Sequence, residues 1–154
     1  MRVTKKSGYG LVAMTELAQH FDSSFLSTKR IAEKYDLPQP FLEKIMRELK
    51  NAGLVRVKRG RGGGYELARE PEDISIETII SNLEEGSLAP VNCLLPEEHN
   101  PCPLEDNCPT LELWKVIYKK FLVVLESFTL EDLLEYLDEG ADARKIEVRN
   151  REIE

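Results

Sequence analysis

Between Gly53 and Leu67 the chain reads Gly53-Leu54-Val55-Arg56-Val57-Lys58-Arg59-Gly60-Arg61-Gly62-Gly63-Gly64-Tyr65-Glu66-Leu67. Two short runs with alternating apolar residues flank a glycine-dense, basic tip, the pattern of a β-hairpin. Gly60, Gly62, Gly63 and Gly64 let the backbone reach positive φ and approach another surface closely. Arg56, Lys58, Arg59 and Arg61 put cations where a phosphate backbone could be gripped. A glycine-rich turn alone means only flexibility. Its basic residues and the helix-patterned stretch just before it make the hairpin read as a wing beside a nucleic-acid-reading helix.

That helix is the last of three. Leu11, Met14, Leu17, Ala18 and Phe21 recur at helical spacing and predict a first helix over about 7–21. Ser27 is placed to cap a second helix that carries Ile31, Ala32 and Tyr35 and ends near Asp36-Leu37-Pro38. Pro40 suits the first turn of a third, where its missing N–H has no intrahelical partner. That third helix turns Phe41, Leu42, Ile45, Met46 and Leu49 inward and leaves Gln39, Glu43, Lys44 and Arg47 outside. Two helices joined by a tight turn and followed by a hairpin form a winged helix-turn-helix. Gln39, Glu43 and Lys44 are the candidates to meet base edges. Arg59 and Arg61 are candidates for a groove or phosphate, and Lys5, Lys6, Arg47 and Lys58 for phosphate contacts that position the protein.

The net charge of −7 over 154 residues speaks against nucleic-acid binding until the chain is divided. Residues 1–70 hold 14 Lys and Arg against 8 Asp and Glu; residues 71–154 hold 7 against 20. A front half of +6 and a rear half of −13 suit a protein that offers one face to DNA and repels it with the other. No apolar run reaches the length of a membrane span, and the N-terminus lacks a signal-peptide core. The expectation is a cytoplasmic protein with reduced thiols and no membrane partner.

After Ser75, Ile76, Ile79, Ile80 and Leu83 predict a further helix. Periodicity then disappears from Gly86 to Pro109, where prolines punctuate a long loop holding Cys93, Cys102 and Cys108. Thiols separated by eight and then five residues can converge on a soft metal. Zinc and iron–sulfur clusters normally take four protein ligands, and His99 is the nearest further donor, with Glu97, Glu98, Glu105, Asp106 and Glu112 as weaker ones. Reactive thiols without a metal are the alternative. Beyond the loop, Leu111, Trp114, Tyr118, Phe121 and Leu125 form a 3-4-3-4 seam on a long helix, with Leu113, Val116, Ile117, Val123 and Val124 widening it. Such a helix predicts a dimer interface, packing in the chain's own core being the other use. Thr129-Leu130-Glu131-Asp132 looks like a capping box for a short final helix.

The expected architecture is mainly α with a small β-hairpin wing. It comprises a winged-helix DNA-binding unit over 1–84, a cysteine-bearing loop over 85–109, a dimerisation helix and short C-terminal helix over 110–139, and a charged tail over 140–154. Met1-Arg2-Val3-Thr4, Phe41-Leu42-Glu43-Lys44-Ile45, Ala52-Gly53-Leu54-Val55, the wing from Arg59 to Tyr65, the three-cysteine loop, Leu113-Trp114 and Thr129-Leu130-Glu131-Asp132-Leu133 carry a resemblance. Together they resemble the IscR, NsrR and CymR type of bacterial winged-helix regulators, the Rrf2 family. The resemblance implies a homodimer whose long helices cross and whose cysteines hold an iron–sulfur cluster, 2Fe–2S or 4Fe–4S, that tunes binding to a pseudo-palindromic DNA operator. In IscR-like members a histidine three residues after the last cysteine completes the cluster, where this chain has Leu111. In nitric-oxide-sensing members a carboxylate at the start of the first helix of the partner subunit does so, where this chain has Gly8. CymR-like members act through a protein partner and lack this cysteine set. A rival reading is a dimeric protein-interaction module with structural zinc in the cysteine loop. An enzyme is the poorest fit, since His20 and His99 are the only histidines and neither belongs to a nucleophile or metalloprotease pattern.

Overall fold

The computed structural model describes residues 3–84, 88–95, 102–104 and 107–138. Helix α1 (Lys5–Gln19) begins two residues earlier than the apolar period suggests, because Thr4 is its cap and accepts from the Ser7 N–H. Its buried residues are Ser7, Gly10, Ala13, Met14, Glu16, Leu17 and Ala18. Helix α2 (Thr28–Tyr35) is capped by Ser27, whose hydroxyl accepts from the Arg30 N–H at 3.1 Å. It ends on Asp36 in the left-handed region, φ 50°, a conformation that an Asp side chain tolerates better than most.

Helix α3 (Gln39–Asn51) holds Leu42, Ile45, Met46 and Leu49 wholly out of solvent. Full burial of each such side chain stabilises by about 1.5–3 kcal/mol, so this helix is fixed by its inner face and free to present its outer one. Gly53, at φ 72°, turns the chain from α3 into the hairpin. Strands β1 (Val55–Lys58) and β2 (Gly64–Leu67) pair antiparallel, with Val55 opposite Leu67, Arg56 opposite Glu66, Val57 opposite Tyr65 and Lys58 opposite Gly64. A third strand position comes from far earlier in the chain. Leu26 donates to the Tyr65 carbonyl at 2.9 Å and accepts from its N–H at 2.8 Å, which docks the wing on the segment leading into α2.

Helix α4 (Ile76–Leu83), capped by Ser75, buries Ile76, Ile79, Ile80 and Leu83 against α1 and α3. Helices α5 (Leu111–Glu126) and α6 (Leu130–Asp138) return the chain to this core. The expected capping box is present: Asp132 accepts from the Thr129 N–H at 2.8 Å, and Thr129 accepts from the Asp132 N–H at 3.3 Å. Phe128 and Leu130 also hydrogen-bond the backbone on either side of Ser75, at 2.8 Å to Ile76 and 3.0 Å to Ile74. That short bridge anchors the end of α5 to the start of α4.

Helix α5 has no fully buried residue. Tyr118, Phe121, Leu122 and Leu125 pack half-buried against the chain's own core, whereas Leu113, Val116 and Val123 are 58%, 50% and 37% exposed. The helix therefore packs in the chain's own core on one side and leaves an apolar stripe exposed on the other. Within the long loop, Leu88 is buried in the core and Cys93 lies in a 3-10 turn, Asn92–Leu94. His99, Glu97, Glu98, Glu105, Asp106 and the tail over 140–154 lie outside the described residues.

Candidate nucleic-acid interface and cysteine segment

The outer face of α3 carries Gln39 and Glu43 half-buried and Lys44 and Arg47 exposed. The Gln39 amide donates to the Glu43 carboxylate at 2.8 Å. This i,i+4 pair fixes the orientation of both groups before any base arrives, leaving an amide oxygen and a carboxylate oxygen for recognition. Lys6 reaches across from α1 to Glu48 of α3 at 2.8 Å, so it braces the helix as well as adding charge nearby. Lys5 stays exposed on the first turn of α1.

On the wing, Arg59 and Arg61 are exposed at a tip whose bend depends on Gly60 at φ 93° and Gly62 at φ 70°. Arg56 differs from the expectation that it grips phosphate. Its guanidinium lies 3.1 Å from the cross-strand Glu66 carboxylate, which offsets part of its charge. Lys58 instead stands over the Phe25 ring, 5.5 Å from its centroid.

Behind this face lies a buried carboxylate that sequence periodicity does not reveal. Glu16, 2% exposed, accepts from the Lys34 ammonium and the Tyr35 hydroxyl, both at 2.6 Å, with His20 Nδ1 at 3.6 Å. Burial pushes its carboxyl up, but the Lys34 and Tyr35 hydrogen bonds and the neighbouring positive charge outweigh it and hold the group below the usual range. The cluster ties α2 to α1 at its C-terminal end. The only sequence signal was a glutamate at an inward position of α1.

Cys93, Cys102 and Cys108 are all half-buried free thiols. Hydrogen bonds from the Thr110 hydroxyl, 3.4 Å away, and from the Thr110 and Leu111 backbone hold the Cys108 thiol below its usual range. Thiolate character suits a soft metal. The arrangement does not: among the described residues no three His, Cys, Asp or Glu side chains stand together as a metal site. The donor chemistry thus fits a cluster while the mutual placement of the thiols does not. Leu111 and Trp114, at the start of α5, are half-buried.

No helix among the described residues is long and apolar enough to cross a membrane. Residues 3–136 match a family profile described as Rrf2, iron-dependent transcriptional regulator. The transcriptional regulator CymR of Bacillus subtilis is 39% identical over 143 residues, covering 93% of this chain and 96% of CymR. The solved structure of CymR, the global cysteine regulator of that organism, superposes with a TM-score of 0.74 over 88% of this chain and 98% of its own. IscR of T. potens gives 0.73 at 38% identity, covering 92% and 91%. These relatives are regulators rather than enzymes. With the profile matched from Val3 into α6 and the winged helix shared with solved relatives, the chain belongs to the Rrf2 family of transcriptional regulators.

Proposed function

We propose that this regulator binds a pseudo-palindromic DNA operator as a homodimer and holds an iron–sulfur cluster through Cys93, Cys102 and Cys108. The observation that carries the DNA-binding part is the pre-oriented Gln39–Glu43 pair on α3 beside an exposed basic wing. Lys44 joins that pair in reading base edges, while Lys5, Lys6, Arg47, Lys58, Arg59 and Arg61 supply the phosphate and groove contacts. Three thiols in one segment, and a family described as iron-dependent, support the cluster. His99 is the proposed fourth ligand, because Leu111 cannot ligate and position 8 is glycine.

The similarity to the cysteine regulator of B. subtilis, and three described thiols that do not group, favour a second reading: a regulator without a resident cluster. One experiment separates them. Anaerobically purified protein should be coloured and carry iron and sulfide, and Cys93→Ala, Cys102→Ala or Cys108→Ala should each bleach it. Colourless parent protein free of iron, still able to select a duplex from a random-sequence pool, would establish the second reading. Zinc in place of iron would point to the structural-metal alternative.

A further inference from the structure

Lys58 is the last residue of β1, and its cross-strand partner is Gly64. Side chains two apart on a strand share a face, so Lys58 lies on the same side as Arg56, whose partner across the ladder is Glu66. Glycine at the corresponding position denies Lys58 a neutralising carboxylate. It also admits another element. A Cβ on Gly64 would stand 2.4 Å from the backbone carbon and oxygen of Leu26, so Leu26 can pair with Tyr65 only because that position is bare. Docking Leu26 brings the Phe25 ring beneath the Lys58 ammonium, 5.5 Å from centroid to Nζ.

The two cations of β1 thus meet different ends. Arg56 is paired with a carboxylate that offsets part of its charge. Lys58 is held by a ring that attracts the ammonium through its quadrupole and leaves the full positive charge in place. An ammonium already fixed loses less side-chain freedom when it meets a phosphate. Ser27, two residues beyond Phe25, caps α2, so the fixed charge at the tip end of β1 stands beside the segment that leads into α2.

We propose that Phe25 is a positioning residue for DNA binding, its ring fixing the Lys58 ammonium as a phosphate contact at the tip end of β1. The proposal rests on the DNA-binding reading above. The test is a double-mutant cycle on the full chain, using the duplex that the parent protein selects from a random-sequence pool. Phe25→Leu should weaken binding roughly two- to five-fold, the range of an exposed cation–π contact; Phe25→Tyr should restore it. Lys58→Met should weaken binding and flatten the log–log salt dependence by about two for a dimer. On the Lys58→Met background, Phe25→Leu should have no further effect. Equal losses from Phe25→Leu on both backgrounds would overturn the proposal, since the ring would then act through the fold and not through Lys58. So would a Lys58→Met protein with the parental salt slope. Should Phe25→Leu fail to fold, pentafluorophenylalanine at position 25 reverses the ring quadrupole at nearly constant shape, and parental affinity there would also overturn it. A parent that selects no duplex would instead bring down the DNA-binding reading itself.

Discussion

At the scale of single residues, half-buried Glu84 gathers three donors on one carboxylate oxygen. One of its carboxylate oxygens accepts from the Thr4 N–H at 2.8 Å, the Thr4 hydroxyl at 2.9 Å and the Ser7 hydroxyl at 2.6 Å. It closes the end of α4 onto the start of α1, where a negative charge also complements the helix dipole. Burial pushes its carboxyl up, but the Ser7 and Thr4 hydrogen bonds and the Lys6 charge prevail, and the group ionises below the usual carboxylate range. A depressed folded-state pKa contributes stability that is present above the unfolded value of about 4.3 and lost as pH falls through the folded one. Glu84→Gln should therefore destabilise the chain at pH 7 by about 1–2 kcal/mol, and the deficit should shrink at acid pH as the carboxyl protonates. Urea denaturation of both proteins at neutral and at acid pH measures it. An equal deficit at both would mean that shape, and not charge, makes the contact. None of this was legible beforehand, because residues 80 apart meet through a fold that no local pattern encodes.

Among elements, the helices and the hairpin were legible because each announces itself within a few residues. Ser27 and Thr129 cap where their sequence positions suggest, and the apolar periods of α3 and α4 match their buried faces. The two-stranded wing follows from its alternation. What sequence could not supply is its third strand position, since Leu26 pairs with Tyr65 across a separation that leaves no repeat. Glycine spacing at the tip concealed a second distinction. Gly62, at φ 70°, has open space around it, so Gly62→Ala should cost only the left-handed strain of about 1–2 kcal/mol. Gly64, at φ 147°, faces the Leu26 backbone at 2.4 Å, and backbone cannot rotate away. Gly64→Ala should cost more than Gly62→Ala and should release the wing from α2. Hydrogen exchange at the Leu26 and Tyr65 amides reads this directly. Protection kept at both amides in Gly64→Ala would show that the wing is not held through this contact.

The whole molecule poses the question of what covers α5. Its seam of Leu111, Trp114, Tyr118, Phe121 and Leu125 was the sequence candidate for a dimer interface, yet Tyr118, Phe121 and Leu125 pack against the chain's own core. Heptad spacing alone cannot tell a self-packing seam from an intermolecular one, because both bury a stripe of the same width. Leu113, Val116 and Val123 form the exposed stripe, at positions three and seven residues apart on the opposite side. A homodimer built through α5 would bury this outer stripe against its copy, and the two faces of α5 should respond differently to charge. Val116→Asp, half-exposed in the single chain, should leave the thermal midpoint of the chain's own core nearly intact while turning a micromolar dimer into a monomer. Phe121→Asp should instead unfold the core, since it places an unpaired carboxylate among apolar side chains. DNA binding should follow the oligomeric state. Joining two reading heads raises apparent affinity by factors of about 10²–10⁴, so monomeric Val116→Asp should bind its duplex at least a hundredfold more weakly with both α3 surfaces unchanged. Sedimentation velocity and duplex titration on the same samples check both halves. A Val116→Asp protein that still sediments as a dimer would move the interface off this stripe, and a monomer with parental affinity would separate DNA recognition from dimerisation altogether.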